Sequence, residues 1–330
     1  MRAIVCHETS GVDSLRLEPQ WPAPAMAPGC VRVGIELAAL NPPDCLMAQG
    51  KYQVSPALPF VPGIEGMGVV LEVAEGIDRL KPGDRVMTYA GEGCFGEEAV
   101  VKADYVHRLP QDVSAAAAAG FLLAYGTSHH GLVTRGHLRA GETVVVLGAA
   151  GGLGTSAIQI AKALGARVVA VASTDEKLAY CQDQGADFLI NAKTDPIREK
   201  LQAFTEGRGA DVVYDVVGGA LTEVFLRGLA PYGRLLIAGY ASGVIPSIKA
   251  NLVLLKQAEV IGVSFRQYFQ QRSQDAIEDV RHLCALWSSG RITPPEARVY
   301  PLEQAQAALR TLADGQALGK LALRVGPRRP

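Results

Sequence analysis

The sequence predicts an α/β protein in two parts, a barrel-like all-β domain and a doubly wound parallel sheet covered by helices. Three observations predict it. Up to about residue 120 the chain holds short β-type runs broken by Gly and Pro. From there to 264, continuous Val/Ile/Leu runs alternate with helical patterns, as expected of parallel strands buried on both faces. Between the first such strand and helix stands a glycine-rich turn, VVVLGAAGGLG over 144–154.

In the first region the expected strands are Ala3–Cys6, Val31–Leu37, Gly68–Val73, Arg85–Tyr89 and Glu97–Val101, separated by breakers such as Pro28-Gly29, Pro42-Pro43, Pro62-Gly63 and Pro82-Gly83. The alanine run Ala115–Ala119 reads as a helix start capped by Ser114. The second region predicts a strand at Thr143–Gly148, a helix at Gly152–Leu164, a strand at Arg167–Ala172 and a helix at Asp175–Gln184. Further strands are expected at Asp187–Asn191, Asp211–Val217, Arg234–Gly239 and Val260–Ser264. Beyond 265, a helix (Gln274–Ser288), a strand (Arg298–Tyr300), a helix (Leu302–Ala313) and a last strand (Lys320–Val325) are expected to return to the first domain. The expected division is therefore 1–122, 123–264 and 265–330.

Composition narrows the partners. Of 330 residues, 48% are hydrophobic and 20% charged, with a net charge of −1 and no basic run beyond Arg328-Arg329. That argues against a nucleic-acid footprint. No apolar run reaches the roughly 18 residues of a membrane span, and the N-terminus shows no secretory pattern; a cytoplasmic location is expected. The six cysteines include no C-x-x-C pair, so neither a zinc knot nor a redox dithiol is suggested. His129 and His130 are adjacent, and on a helix they point about 100° apart, which disfavours a shared ion.

The glycine turn carries the clearest chemistry. Strand, glycine turn and amphipathic helix in that order form a dinucleotide-binding context. The first glycine of the G-x-G-x-x-G form is replaced by Ala149, whereas Gly151 and Gly154 remain. Gly151 lets the backbone approach a pyrophosphate, Gly154 lets the helix pack close to the strand, and the helix N-terminus offers N–H groups to phosphate. An NAD site places Asp or Glu at the tip of the second strand, to bond the ribose 2′-OH. Here the tip reads Val171-Ala172-Ser173-Thr174, with Lys177 one turn on, which suits the 2′-phosphate of NADPH. Asp175 and Glu176 are either that acid displaced or first-turn helix acids favoured by the dipole.

Together LNPPD (Leu40–Asp44), PGIEGMGVV (Pro62–Val70), the late GAAGGLG turn and GKLAL (Gly319–Leu323) resemble the zinc-independent medium-chain dehydrogenase/reductases, within them the quinone oxidoreductases. The resemblance covers essentially the whole chain. It implies a GroES-like β-barrel catalytic domain interrupted by a Rossmann domain, an active-site cleft between them, and a homodimer joined through the Rossmann sheets. Zinc-dependent relatives place a Cys ligand at the position of Asn41 and a His at that of Ile64, so no metal is expected. Short-chain dehydrogenases are excluded because no Tyr is followed by Lys four residues later.

The resemblance also implies site residues. Asn41 and Tyr52 lie on the segment it places beside the nicotinamide. Tyr52 matches the proton-donating tyrosine of related enoyl thioester reductases, and Asn41 is expected to contact substrate or nicotinamide ribose. Asp44 is expected to orient their loop. Cofactor contacts are expected from Asn41, Thr127, the turn residues Ala150, Gly151, Gly152 and Leu153, the tip residues Ser173 and Lys177, the strand ends Val217, Gly218, Gly239 and Tyr240, then Phe265 and Lys320. Cys94 reads as incidental. The implied reaction is hydride transfer from NADPH to a quinone, with enone or enoyl thioester reduction as the alternative and an idle NADPH-binding protein as a third.

Overall fold

A computed structural model describes residues 1–110 and 113–327; the Arg328-Arg329 pair lies outside the described residues. The chain forms two compact units, Met1–Leu123 with Pro294–Pro330, and Ala124–Thr293.

The first unit opens with the small antiparallel pair β1 (Ala3–Val5) and β2 (Arg16–Glu18). Its main sheet is organised by β3 (Cys30–Ala39), in which Val31, Val33, Ile35 and Leu37 are all buried. After α1 (Pro42–Ala48), β4 (Glu65–Val73) takes one edge of β3 along nearly its whole length. The order continues through β5 (Arg85–Tyr89) to β7 (Val106–Arg108). The other edge of β3 is shared: Cys30–Gly34 pair with β6 (Glu98–Lys102). The Ser114 hydroxyl accepts from the Ala116 N–H at the start of α2 (Ala115–Ala118), the N-cap expected from the sequence.

The chain enters the second unit within α3 (Phe121–His129), which runs into a π-type turn over His130–Arg135. Next come β8 (Thr143–Leu147), α4 (Gly152–Ala163), β9 (Arg167–Ala172), α5 (Asp175–Asp183), β10 (Phe188–Asn191), α6 (Ile197–Phe204) and β11 (Ala210–Asp215). They are followed by α7 (Ala220–Arg227), β12 (Leu229–Ile237), α8 (Ala250–Lys256) and β13 (Glu259–Gly262). The six strands form one parallel sheet in the order β10-β9-β8-β11-β12-β13, the doubly wound arrangement. Val144–Leu147 have no exposed surface, and each such side chain contributes roughly 1.5–3 kcal/mol by burial. Three helices of this sheet, α6, α7 and α8, were not expected from periodicity: at seven or eight residues they hold barely two turns of pattern.

The expected return at 265 is displaced. Helices α9 (Phe265–Gln271) and α10 (Ser273–Ser288) stay with the parallel-sheet unit, and the chain crosses back at Pro294. The reason is packing against α3: the Phe265 ring fills the space a Cβ on Gly126 would occupy, 2.2 Å from its Cζ. In addition, His282 Nδ1 lies 3.1 Å from His129 Nε2. The returning segment supplies β14 (Arg298–Pro301), α11 (Ala305–Ala313) and β15 (Leu321–Arg324). Strand β15 pairs with Leu37–Ala39 of β3, completing the edge that β6 leaves open. Among the described residues no helix is long and apolar enough to cross a membrane.

Candidate functional site

In the parallel-sheet unit every expected cofactor residue except Thr127, Lys177 and Phe265 stands in the turn that follows a parallel strand or at the start of the helix after it. Ala150–Leu153 follow β8, Ser173 follows β9, Val217-Gly218 follow β11, and Gly239-Tyr240 follow β12. Ligands of open α/β sheets bind at these carboxyl ends. Lys177 is in the first turn of α5, Phe265 opens α9, and Thr127 is buried on α3. Beside it, Ser128 Oγ lies 2.8 Å from Ser156 Oγ and 3.2 Å from the Tyr214 hydroxyl, which fixes α3 against α4 and β11.

The two glycines of the turn do different work. A Cβ on Gly154 would lie 2.4 Å from the Gly148 carbonyl oxygen and 2.5 Å from Ala149 Cα, so the helix can start this close only with glycine there. A Cβ on Gly151 would meet nothing nearer than that oxygen at 3.6 Å. The space above Gly151 is open, and this residue caps α4 without a side chain, which leaves the first N–H groups of the helix to a phosphate. These features fit a dinucleotide pyrophosphate.

Asp215 was not expected to matter. It is fully buried; Oδ1 accepts from the Val217 and Gly218 N–H groups, 2.8 Å each, and Oδ2 from the Thr222 hydroxyl at 2.5 Å. It therefore sets the backbone of the β11 turn. Its sequence signal is only an Asp closing an apolar strand before Gly-Gly.

At the tip of β9, Thr174 caps α5 by accepting from the Lys177 N–H at 3.3 Å. Ser173 is half-buried, and the tip itself carries no acid.

In the first unit the structure brings Asn41 and Lys320 together although 279 positions separate them. Lys320 Nζ donates to Asn41 Oδ1 at 2.6 Å, to Glu65 Oε1 at 2.9 Å and to the Leu40 carbonyl at 3.4 Å. Asn41 Nδ2 donates to Glu65 Oε1 at 3.0 Å, with a longer contact to Ala39 O at 3.4 Å. The Leu123 N–H donates to the remaining oxygen of Glu65. Cation on one side and carboxylate on the other leave the Asn41 amide a single orientation.

Asp44 completes this cluster. It is fully buried and forms a capping box with Asn41 at the start of α1. Its Oδ1 also accepts from Gly63 and Ile64 N–H at 3.2 Å each, which ties the start of α1 to the backbone before β4. Burial pushes its carboxyl up to about 7, against the opposing effects of the Asn41 N–H and the Lys320 charge. Lys320 is no solvated edge lysine: its side chain is 13% exposed, and its stem crosses Gly120, where a Cβ would lie 2.2 Å from Cε. Glu65 was not among the expected site residues, since within PGIEGMG no spacing marks its acid as the partner of Asn41 and Lys320. Tyr52 sits half-buried just beyond α1. Cys94 is fully buried, and burial raises its thiol pKa, which disfavours nucleophilic chemistry. Among the described residues no group of three or more His, Cys, Asp or Glu side chains is placed to hold a metal.

A Rossmann sheet with an open glycine turn, joined in one chain to a GroES-like sheet, defines a medium-chain dehydrogenase/reductase. Within that class the chain belongs to the zinc-independent quinone oxidoreductase family. The alcohol dehydrogenase GroES-like domain model matches residues 27–111, and the zinc-binding dehydrogenase model matches 152–282. Quinone oxidoreductase-like protein 2 of Bos taurus is 34% identical over 98% of this chain and 92% of its own length. The Escherichia coli quinone oxidoreductase, solved as a complex with NADPH, superposes with a TM-score of 0.91 at 29% identity, covering 98% of this chain and all of that one. A Streptomyces orinoci polyketide synthase system protein, NorB, is 36% identical over 96% of this chain, a match that spans 14% of that larger protein. The family binds NADPH, and the chain is a medium-chain reductase.

Proposed function

We propose that this chain transfers hydride from NADPH to a quinone or another activated conjugated carbonyl. The observation that carries the reading is the commitment of Asn41 to Lys320 and Glu65. The residue at the position of a zinc-dependent relative's Cys ligand is locked into an ion-paired scaffold, so polar side chains have to meet the charge that develops on substrate oxygen. NADPH, when bound, supplies the hydride from its nicotinamide C4. The Ala150–Leu153 backbone holds the pyrophosphate, Ser173 and Lys177 the 2′-phosphate, and Val217, Gly218, Gly239, Tyr240, Phe265 and Thr127 line the rest. Asn41 offers the one N–H that makes only the long contact to Ala39, with Lys320 positioning the amide. Tyr52 is the donor for a substrate that needs a proton.

NADPH oxidation across quinones, enones and acyl thioesters tests this, with turnover of quinones expected. NADPH binding without any turnover would leave a catalytically idle cofactor-binding protein. Reduction of an enone or enoyl thioester is the second reading, since it would use the same fold and the same hydride donor. Tyr52→Phe separates the two: quinone turnover should survive, while reduction of an enoyl thioester should fall by about two to four orders of magnitude, the usual worth of a positioned general acid.

We also infer that the protein is a homodimer paired through β13. This strand is an edge of the parallel sheet, and Val260 on it and Leu254 and Leu255 before it are exposed. Val260→Lys should convert it to a monomer in light scattering.

A further inference from the structure

Asp175 stands at the first position of α5, two residues beyond Ser173. An acid so close to the tip of β9 is the kind that accepts the ribose 2′-OH of NADH and repels the 2′-phosphate of NADPH. Its carboxylate is already engaged. Asn191, the last residue of the neighbouring strand β10, pairs in register with Ala172 and donates its Nδ2 to Asp175 Oδ1 at 2.8 Å. Asn191 is buried; its side-chain amide is held from two sides and its main chain from a third. Oδ1 accepts from the Lys193 N–H at 3.1 Å, and the main-chain N–H donates to Asp195 Oδ2 at 2.7 Å, which in turn pairs with Lys200. With the oxygen fixed toward Lys193, the NH2 group has to face Asp175.

We propose that Asn191 is a cofactor-selectivity residue, which holds the Asp175 carboxylate back from the ribose 2′ position and leaves the tip of β9 to a 2′-phosphate. The inference rests on the reading of Ser173 and Lys177 as the 2′-phosphate site. Releasing Asp175 would weaken NADPH by repulsion and strengthen NADH by offering an acceptor to its 2′-OH.

The test is a binding measurement that needs no substrate: dissociation constants of NADPH and NADH by titration calorimetry, for wild type, Asn191→Ala, Asp175→Asn and the double variant. The ratio favouring NADPH should fall about fivefold in Asn191→Ala, the size of one charge–charge term across about 4 Å in water, to which the exposed tip of β9 is open. Asp175→Asn alone should change the ratio less than twofold, and adding it to Asn191→Ala should restore the wild-type value. Asn191→Ser keeps an oxygen for the Lys193 N–H, so a disturbed loop in the alanine variant does not hide the answer; it should shift the ratio the same way. An unchanged ratio in both Asn191 variants, or a fall that Asp175→Asn does not reverse, overturns the proposal. Lys177→Ala, measured beside them, tests the underlying reading separately. A loss confined to NADPH keeps that reading whatever Asn191 does, whereas equal loss of both cofactors removes it.

Discussion

The glycine turn after β8 and the polar cluster around Asn41 meet the demands of a ligand site in opposite ways. The turn works through what is missing: no side chain over Gly151, no Cβ between Gly154 and the Gly148 carbonyl. The cluster is built around side chains, two carboxylates, an amide and an ammonium with almost no exposure. A site made of backbone is encoded within eleven consecutive residues. A site made of side chains is assembled by the fold from Asn41, Glu65 and Lys320. The first is sensitive to added atoms and the second to removed partners, and the two can be broken separately.

The largest effect is expected at Gly154. Alanine there forces its Cβ into backbone, not into a movable side chain, and should cost about 3 kcal/mol of stability. Because α4 would shift away from the turn, NADPH affinity should fall about a hundredfold, the equivalent of 2.8 kcal/mol. Gly151→Ala has open space around it; its melting temperature should stay within about a degree while NADPH binding weakens. If both variants lose stability equally, the division of labour between the two glycines is wrong.

This contrast also explains what was legible. The parallel sheet was readable because its buried inner strands need unbroken Val/Ile/Leu runs, and the glycine turn because its context is local. Helices α6 to α8 were not, since seven or eight residues cannot display a period. The crossing point at Pro294 was missed because α9 and α10 are held by tertiary partners, Gly126 and His129, that no spacing reveals. In the cluster, Asn41 and Lys320 were both visible as motif residues. Their bond was not, since 279 positions separate them, and neither was the carboxylate of Glu65 that joins them.

Lys320 gives the next largest effect and tests the other half of the comparison. Among the described residues Lys320 is the only cation on Glu65. Lys320→Met leaves this buried carboxylate with only the neutral donors Asn41 Nδ2 and the Leu123 N–H, and takes from the Asn41 oxygen its bond to the ammonium. Breaking a buried pair from one side costs about 3 kcal/mol. Adding Glu65→Gln should recover part of this, because the uncompensated charge goes with it. Denaturant midpoints of the two variants measure both steps. A double variant no more stable than Lys320→Met would mean that Glu65 is not charged in the folded protein, and that the cluster is a hydrogen-bond scaffold without an ion pair.

The smallest effect concerns pH and shows that the parallel-sheet unit has a buried titratable group of its own, lacking the partners that surround Asp44. His130 stacks on Tyr268 with ring centroids 3.9 Å apart, and its Nδ1 finds no hydrogen-bond partner among the described residues. Burial lowers its pKa to about 4; the Arg135 and His129 charges act in the same direction, and Asp279 opposes them. A group whose pKa falls on folding stabilises the native state above its unfolded value, near 6.5, and loses that contribution as pH drops toward 4. Asp44 acts in the opposite sense. Its pKa rises on folding to about 7, so its contribution is present at low pH and fades as pH climbs from about 4 to 7. Over pH 4.5–6.5 the two slopes oppose each other, and wild-type stability should change little in this window. Replacing His130 with Phe keeps the stacking and removes the titration. Its stability, read from the denaturant midpoint, should then fall as pH rises, by roughly 2–2.5 kcal/mol across the window, as the Asp44 slope is left uncompensated. A variant as flat as the wild type would show that Asp44 carries no such slope, whereas a wild type that already falls with pH as the variant does would show that His130 is solvated and that only the Asn41 cluster holds a titrating group away from water.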